Sequence, residues 1–253
     1  MLLRRITQDV RDQNWFAVSI DFLIVVIGVF IGIQVANWNE ERADRLDEKE
    51  TLVALNSDVL ETKSNIEEFL SRIKKGQKHL RQLAEYSDGQ HDDMPIAQID
   101  ESILKGLYTV YYTTTNMVTY IELINTGRID IISNKEIRSN LKILSDQIAE
   151  LENEEVSIEK MSYETIDPFL LDHVEYRGFI SMPSDTIEKI KIDWLDPNKN
   201  RQNPKNKLRN TKFQNLVLFR ARLNLAQITF AEQSLETLGL LAVQIDNELE
   251  KWN

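Results

Sequence analysis

An apolar segment near the beginning of the chain constrains the fold and the location of this protein more than any other feature. It runs almost unbroken from Phe22 to Ile33, in a chain whose net charge is −11. An α-helix needs about 20 residues of this kind to cross the hydrocarbon core of a bilayer. Trp15 and Trp38 bracket the segment, as aromatic residues at the two headgroup layers do. The pattern therefore predicts a membrane-spanning helix over residues 15–38 that contacts the lipid bilayer.

A cleaved secretory signal is the main alternative for this segment. Arg4 and Arg5 supply the basic start of a signal, but Gln34-Val35-Ala36 has Gln where a cleavage site needs a small residue. A buried core helix fits less well, because the rest of the chain is too polar to surround it. We therefore expect an uncleaved anchor, with Asn37 and Asn39 beside Trp38 at the membrane interface.

The orientation of the anchor rests on a small difference between its two flanks. Arg4, Arg5 and Arg11 lie in the tail of residues 1–14, and three basic residues follow within residues 39–50. The positive-inside rule acts most strongly on short tails, whereas a long domain is translocated with little regard to its charge. We predict a cytoplasmic N-terminus, with the long domain on the other side of the membrane. The chain has no cysteine, which suits either compartment.

Small residues on one face of the anchor point to a helix–helix contact. Gly28 and Gly32 form a G-x-x-x-G pair, Ala36 extends the row, and Asp21 lies two turns earlier on the same face. We predict that these four residues contact another copy of the chain or another membrane protein. Two alternatives stay open: glycine is common in membrane helices, and Asp21 lies near enough to Trp15 to reach the headgroups.

A heptad pattern then predicts one long helix from Asn39 to Ser87. Leu60 and Leu70 widen its stripe, which favours a bundle over a two-stranded coil. The positions that form the stripe step by three and four residues without a break: Leu52, Leu55, Val59, Thr62, Ile66, Phe69, Ile73, Gly76, Leu80 and Leu83.

The middle of the chain predicts short helices and one connector. Helices are expected over residues 95–106 and 116–126, and Gly127 is a left-handed stop for the second. Residues 107–115 are rich in Tyr, Val and Thr, but with no strand to pair with we interpret them as an extended connector on the bundle.

Two further long helices complete the predicted architecture. Ser133 and Glu136 form a capping box that opens a helix to about Asp167. A final helix runs from Lys212 to Trp252, with a heptad stutter between its two blocks. The apolar positions of the three blocks are Ile137, Leu141, Leu144, Ile148, Leu151 and Ile158; Leu216, Phe219, Leu223, Ala226 and Phe230; and Leu235, Leu238, Ala242, Ile245, Leu249 and Trp252.

These elements predict an all-α fold. The membrane helix continues into an elongated antiparallel bundle of three long helices plus short ones, which occupies residues 39–253 as one domain. Within it, residues 175–211 form an irregular, proline-containing and basic region.

Two segments of the chain carry distinctive sequence motifs. Residues 31–40 contain a Gln-x-x-Asn-Trp-Asn-Glu run at the end of the apolar segment. Residues 119–138 contain Tyr-x-x-Leu-x-x-x-Gly followed by Ile-x-Asn-Lys-Glu. Together the motifs resemble a family of uncharacterised bacterial single-pass membrane-anchored helical proteins, over both ends of the anchor and the middle of the chain. The resemblance implies an anchored helical architecture in the bacterial inner membrane with a periplasmic domain, and it carries no activity.

Residues for catalysis or metal binding are scarce. The histidines are His79, His91 and His173, and His91 is followed by Asp92 and Asp93, but in a loop without distant ligands. Asp196 begins a calcium-loop-like run, but Arg201 and Lys207 occupy the positions of its required Gly and Glu. Nucleotide-binding, hydrolase and zinc-protease motifs are missing from the sequence. We predict no cofactor, no metal and no enzymatic activity.

A basic segment without a single acidic residue stands out against the acidic chain. It is a candidate contact for an acidic partner or lipid headgroups, and the alternative is a solvated loop that balances nearby acidic helices. Nucleic acid is not expected, because the chain is acidic and no aromatic residue interrupts the basic run. The six basic residues are Lys199, Arg201, Lys205, Lys207, Arg209 and Lys212.

Two classes of function follow from these observations. The first is a membrane-anchored interaction or scaffold protein that self-associates through its membrane helix or binds another membrane protein. The second is a sensory or small-ligand-binding helical bundle that signals through a partner membrane protein. We favour the first, because a tail of 14 residues before the anchor is too short to be an output domain.

Overall fold

The computed structural model describes residues 15–180, 196 and 204–252 of the chain. Every regular element in this part of the chain is helical, which confirms the all-α prediction. The chain divides into two compact units, Met1–Thr51 and Leu52–Asn253, and the boundary falls within the first long helix.

The α-helices are numbered here in chain order, and π-helical turns follow two of them. One π-helical turn, Ile103–Tyr108, continues α2, and another, Ser162–Ile166, joins α4 to α5. The helices are α1 (Trp15–Ser87), α2 (Ile96–Ser102), α3 (Val118–Asn125), α4 (Lys135–Met161), α5 (Asp167–His173), α6 (Arg177–Ile180), α7 (Lys205–Leu208) and α8 (Thr211–Glu250).

The first unit contains a helix that is long and apolar enough to cross a membrane. Its best stretch of 18 residues has a mean hydropathy of 1.9, and none of that stretch is buried. Phe22 and Phe30 are 70% and 63% exposed. A helix that is apolar on all faces and that no described part of the chain covers suits lipid as its surroundings.

The second unit is a bundle in which α8 runs antiparallel to both α1 and α4. Asn56, near the middle of α1, donates to Asp246 (3.0 Å), and Asp88, just after the C-terminal end of α1, accepts from Gln214 (3.0 Å). Asn140 of α4 donates to Gln244 (2.9 Å). Because α1 and α4 are each antiparallel to α8, they are parallel to each other. The segment between them therefore returns the chain along the bundle.

The heptad stripe of α1 is confirmed at each of its positions. All ten predicted residues are buried, and Leu55, Val59 and Ile66 have no exposed surface. Leu70 is buried as predicted, whereas Leu60 is 52% exposed and does not widen the stripe. The six predicted positions of α4 are buried as well.

The ends of α3 and α4 test the predicted caps. Gly127 has a φ of +68°, and Arg128 N–H donates to Leu123 O (2.8 Å), which closes α3 as predicted. The predicted capping box of Ser133 is wrong, because Asn134 is the N-cap of α4. Its side-chain oxygen accepts from the N–H groups of Glu136 (2.9 Å) and Ile137 (3.4 Å). Asn and Ser are equally good caps, so the sequence alone did not separate these neighbours.

The stutter predicted in the last helix is also wrong. Phe219 is 48% exposed, and Leu235 and Ala242 are only partly buried. The buried seam of α8 is a continuous heptad with polar residues at four of its positions. Because polar residues occupy these buried positions, the sequence analysis assigned the heptad to neighbouring apolar residues such as Phe219 and Leu235 instead. The seam consists of Phe213, Val217, Arg220, Asn224, Gln227, Ala231, Ser234, Leu238, Leu241 and Ile245.

One glycine sets how closely the returning segment approaches α1. A Cβ on Gly106 would lie 2.9 Å from the backbone nitrogen of Leu80 and 3.0 Å from the Cβ of His79. Backbone cannot move aside as a flexible side chain can, so only glycine permits this contact. The π-helical turn that carries Lys105 is thereby held against α1.

Candidate functional site

A polar layer divides the core of the bundle into two hydrophobic clusters. On α1, Gly76 lies between Ile73 of one cluster and Leu80 of the other. On α4, Glu155 takes the heptad position between Leu151 and Ile158. On α8 the same level holds three polar residues with no exposed surface: Arg220, Asn224 and Gln227.

The extended connector between the π-helical turn and α3 is held by this layer. Arg220 donates to Thr109 O (2.8 Å), and Glu155 accepts from Thr113 N–H (2.7 Å). Tyr111 packs over Gly76, where a Cβ would lie only 2.7 Å from the ring. These residues therefore supply partners for the backbone groups of an extended segment that pairs with no strand in the described part of the chain.

Side chains of α1 also accept hydrogen bonds from backbone N–H groups at the end of the connector and at the start of α3. The buried hydroxyl of Thr62 accepts from Asn116 N–H (3.2 Å), and Asp58 accepts from Thr119 N–H (2.7 Å). Buried backbone groups without partners are costly, so Thr62 stabilises the connector and Asp58 stabilises the first turn of α3. The result confirms the prediction of an extended connector.

Arg220 carries a charge deep in the core. Its guanidinium also donates to Asn224, and burial lowers its pKa to about 10, which still leaves it charged at neutral pH. Four polar atoms of this layer have no hydrogen-bond partner among the described residues: Arg220 Nε, Asn224 Nδ2, and both Oε1 and Nε2 of Gln227. The layer is therefore less stable than a row of apolar residues would be.

Glu155 is the acidic residue of this layer. It is 8% exposed, and burial raises its pKa from 4.5 to about 7, against the lowering effect of the Thr113 N–H bond. The nearby Glu152 carboxylate raises the pKa further. This residue was not predicted from the sequence, although an acid between Leu151 and Ile158 in an unbroken heptad is a readable signal.

An apolar groove lies outside the polar layer, between the end of α4 and the beginning of α8. Met161 and Leu216 are buried in its lining, and Leu218 and Phe219 are 60% and 48% exposed. The groove has a volume of about 1000 Å³. Phe219 was predicted to be a core residue, so the error in the heptad phase concealed this surface.

Cationic side chains surround the groove. Lys160, Lys212 and Arg222 line it together with a single acid, Glu164. Arg222 lies over the Phe219 ring, 5.0 Å from its centroid. The surroundings of the groove are therefore positive in a chain that is negative overall.

The residues predicted to act in the membrane helix are placed but not brought together with any other described element. A Cβ added to Gly28 or Gly32 would meet no atom within 4 Å beyond the backbone of its own helix. Trp38 is 61% exposed, and Asn37 and Asn39 are exposed. The helix includes Trp15 and Asp21, but their side chains lie outside the described part of the structure.

The basic segment is divided by the structure. Lys199 and Arg201 lie outside the described residues. Asp92 binds both Lys205 (2.5 Å) and Arg209. Arg209 also donates to Tyr86 O (3.1 Å).

The last two basic residues of the segment differ in their surroundings. Lys212 lies 5.6 Å from the centroid of the Phe169 ring, and Lys207 is exposed. At least part of the segment therefore fastens α7 to the loop after α1.

The histidines have structural contacts. His173 bonds Phe169 O (2.8 Å) and stacks on the Phe169 ring, and His91 lies 3.5 Å from Glu85. Among the described residues, no group of three His, Asp or Glu side chains is arranged to hold a metal ion.

Comparisons of the chain with protein-family models, with characterised proteins and with solved structures find no match. The family resemblance of residues 31–40 and 119–138 therefore stays a prediction.

The raised pKa of Glu155 predicts how stability changes with pH. The folded state holds a proton on this carboxyl up to about pH 7, whereas the unfolded chain releases it near pH 4.5. The free energy of unfolding should therefore fall as pH rises through this window, by about 3 kcal/mol. Glu155→Gln, which stays neutral and still accepts from Thr113, should remove this fall in urea unfolding of the detergent-solubilised protein.

The matched control is Glu150→Gln, an exposed acid on the same helix. It should retain the wild-type fall between about pH 4.5 and about pH 7. An identical pH profile for wild type and Glu155→Gln would show that Glu155 titrates normally in the folded protein.

Proposed function

We propose that this chain is a membrane-anchored interaction protein whose bundle binds an acidic amphipathic helix of another membrane protein. The observation that carries the proposal is the apolar groove between α4 and α8, with its cationic surroundings. Exposed apolar surface of this kind is costly to leave in water and is typical of sites that bind proteins. The process in which the protein acts follows from the identity of that partner.

A helix is the occupant that the groove fits best. Its lining residues Leu218 and Phe219 face solvent, so the surface is open along the two helices instead of closed around a small molecule. An amphipathic helix places its apolar face in such a groove. Lys160, Lys212 and Arg222 would then face acidic residues on the polar side of the partner, since three cations oppose one acid here.

The anchor supports a membrane location for this role. We infer that it spans the bacterial inner membrane, with its N-terminal side in the cytoplasm and the bundle in the periplasm. Arg4, Arg5 and Arg11 precede the apolar segment, as the positive-inside rule requires, and the long domain after it needs no matching charge pattern. The open space beside Gly28 and Gly32 supports close approach of a second membrane helix, either of a second copy or of the partner.

The groove can be tested by photo-crosslinking in cells. A photoreactive residue at Leu218 should give one discrete adduct, and the attached peptide should be an acidic amphipathic helix of a membrane protein. Lys212→Glu/Arg222→Glu should reduce the yield of the adduct about tenfold or more, since a loss of about 1.4 kcal/mol of binding free energy lowers the affinity tenfold.

A photoreactive residue at Val243 is the matched control, because Val243 is 60% exposed on the same helix but does not line the groove. It should give no adduct with that partner. An adduct from Leu218 to a second copy of the chain would replace the partner with self-association, and no adduct would exclude docking at the groove.

The small-residue face of the anchor predicts association that leucine disrupts. Gly28→Leu/Gly32→Leu should lower energy transfer between donor- and acceptor-labelled copies in lipid vesicles, because the added side chains hold the helices apart. Val26→Leu/Phe30→Leu changes the opposite face and should leave the transfer unchanged. Equal transfer in all three proteins would show that this face makes no contact between copies.

The proposed orientation can be read from one introduced cysteine, since the chain has none. Asn253→Cys should react with a membrane-impermeant maleimide on intact spheroplasts. Labelling that requires lysis would place the bundle in the cytoplasm instead.

A further inference from the structure

A second pocket, of about 630 Å³, lies on α1 and shares no lining residue with the groove. Residues of one helical stripe, including Arg72, Lys75 and His79, form one wall. Lys105 of the π-helical turn and Tyr111 of the connector form the other. A volume of this size lies in the range of sites for small molecules, about 300–1,000 Å³.

Two glycines build this pocket. Gly76 leaves room for the Tyr111 ring, and Gly106 lets the π-helical turn lie against the backbone of α1 at Leu80. The Tyr111 hydroxyl donates to Lys105 O (2.6 Å), which joins the two segments of the second wall. The tertiary structure thus places Lys105 opposite the cations of α1.

The charge of the pocket is strongly positive. It is lined by four cations, Arg72, Lys75, Lys78 and Lys105, and by one carboxylate, Glu68. Lys105 is paired with Glu101 outside the lining (2.8 Å). Four cations against these two carboxylates leave an excess of two positive charges. Lys75 and Lys78 form no ion pair with any residue in the described part of the chain.

Two polar side chains of the pocket are already oriented. Arg72 donates through Nη2 to Tyr112 O (3.1 Å). Its buried Nε has no hydrogen-bond partner among the described residues, and the nearest carboxylate oxygen, of Glu68, is 3.9 Å away. His79 Nδ1 lies 3.3 Å from the Ser102 hydroxyl, which donates to Gln82 (3.1 Å). A buried donor that has only this long ion pair and no hydrogen bond, beside clustered cations, is what an anionic ligand would satisfy.

We propose that this pocket binds a small phosphate-bearing ligand with at least two negative charges. Its excess charge matches a dianion, and separate lysine ammonium groups bind phosphate oxygens as point charges from several directions. The same chemistry is offered by a soluble phosphate compound and by the headgroup of an anionic phospholipid. Such a ligand would make the bundle a ligand-binding module, beyond its proposed role in protein interaction.

Isothermal titration of the full chain with pyrophosphate, in phosphatidylcholine nanodiscs, tests this site. Wild type should bind saturably, and Lys75→Gln/Lys78→Gln should weaken binding about tenfold or more, as expected for the loss of two charge-assisted contacts. Lys63→Gln/Lys74→Gln removes the same charge from the same helix outside the pocket and should leave the affinity within about twofold of wild type.

The other outcomes are equally decisive. Absence of saturable binding, or equal weakening by both lysine pairs, would overturn the site. Succinate binding as tightly as pyrophosphate would overturn the phosphate class. In nanodiscs that contain phosphatidic acid, weaker pyrophosphate binding would identify the lipid headgroup as the source of the phosphate, and unchanged binding would identify a soluble compound. Failure of crosslinking at Leu218 bears on none of these results.

Discussion

The bundle depends on the satisfaction of backbone groups in one extended connector. This segment lies against the core without a strand beside it in the described part of the chain, so its N–H and C=O groups need side-chain partners. Arg220 bonds Thr109 O and Glu155 bonds Thr113 N–H, while Thr62 bonds Asn116 N–H. Polar residues therefore interrupt the apolar seams of three helices that would otherwise be more stable.

The need to give the backbone groups of the connector hydrogen-bond partners also affects both proposed binding surfaces. Tyr111 and the backbone of Tyr112, which Arg72 binds, belong to the connector, so the cationic pocket exists only because that segment is held in place. Polar residues also occupy the α8 seam, and the heptad phase that they follow turns Phe219 outward into the groove. The cost in core stability thus accompanies the two surfaces for which we propose a binding function.

The sequence predicted the architecture well where apolar residues mark the period. The stripe of α1 and the seam of α4 were read correctly, because leucine and isoleucine occupy nearly every inward position. In α8 the prediction failed at Phe219, because Arg220, Asn224 and Gln227 hold inward positions that apolar residues normally occupy. The cap at Asn134 was missed for a local reason, since Ser133 has the same capping chemistry.

The candidate sites were less accessible to prediction than the fold. The groove joins residues about 50 positions apart in the chain, and the pocket joins α1 to Lys105 and Tyr111. By itself the sequence determined the apolar anchor segment, the helical class and the α1 stripe, because each depends on local composition and periodicity. Only the tertiary structure decided which polar residues are buried and which cations share a pocket. Both depend on where the connector packs against the helices. The hydrophobic periodicity of a segment carries no information about such a long-range contact.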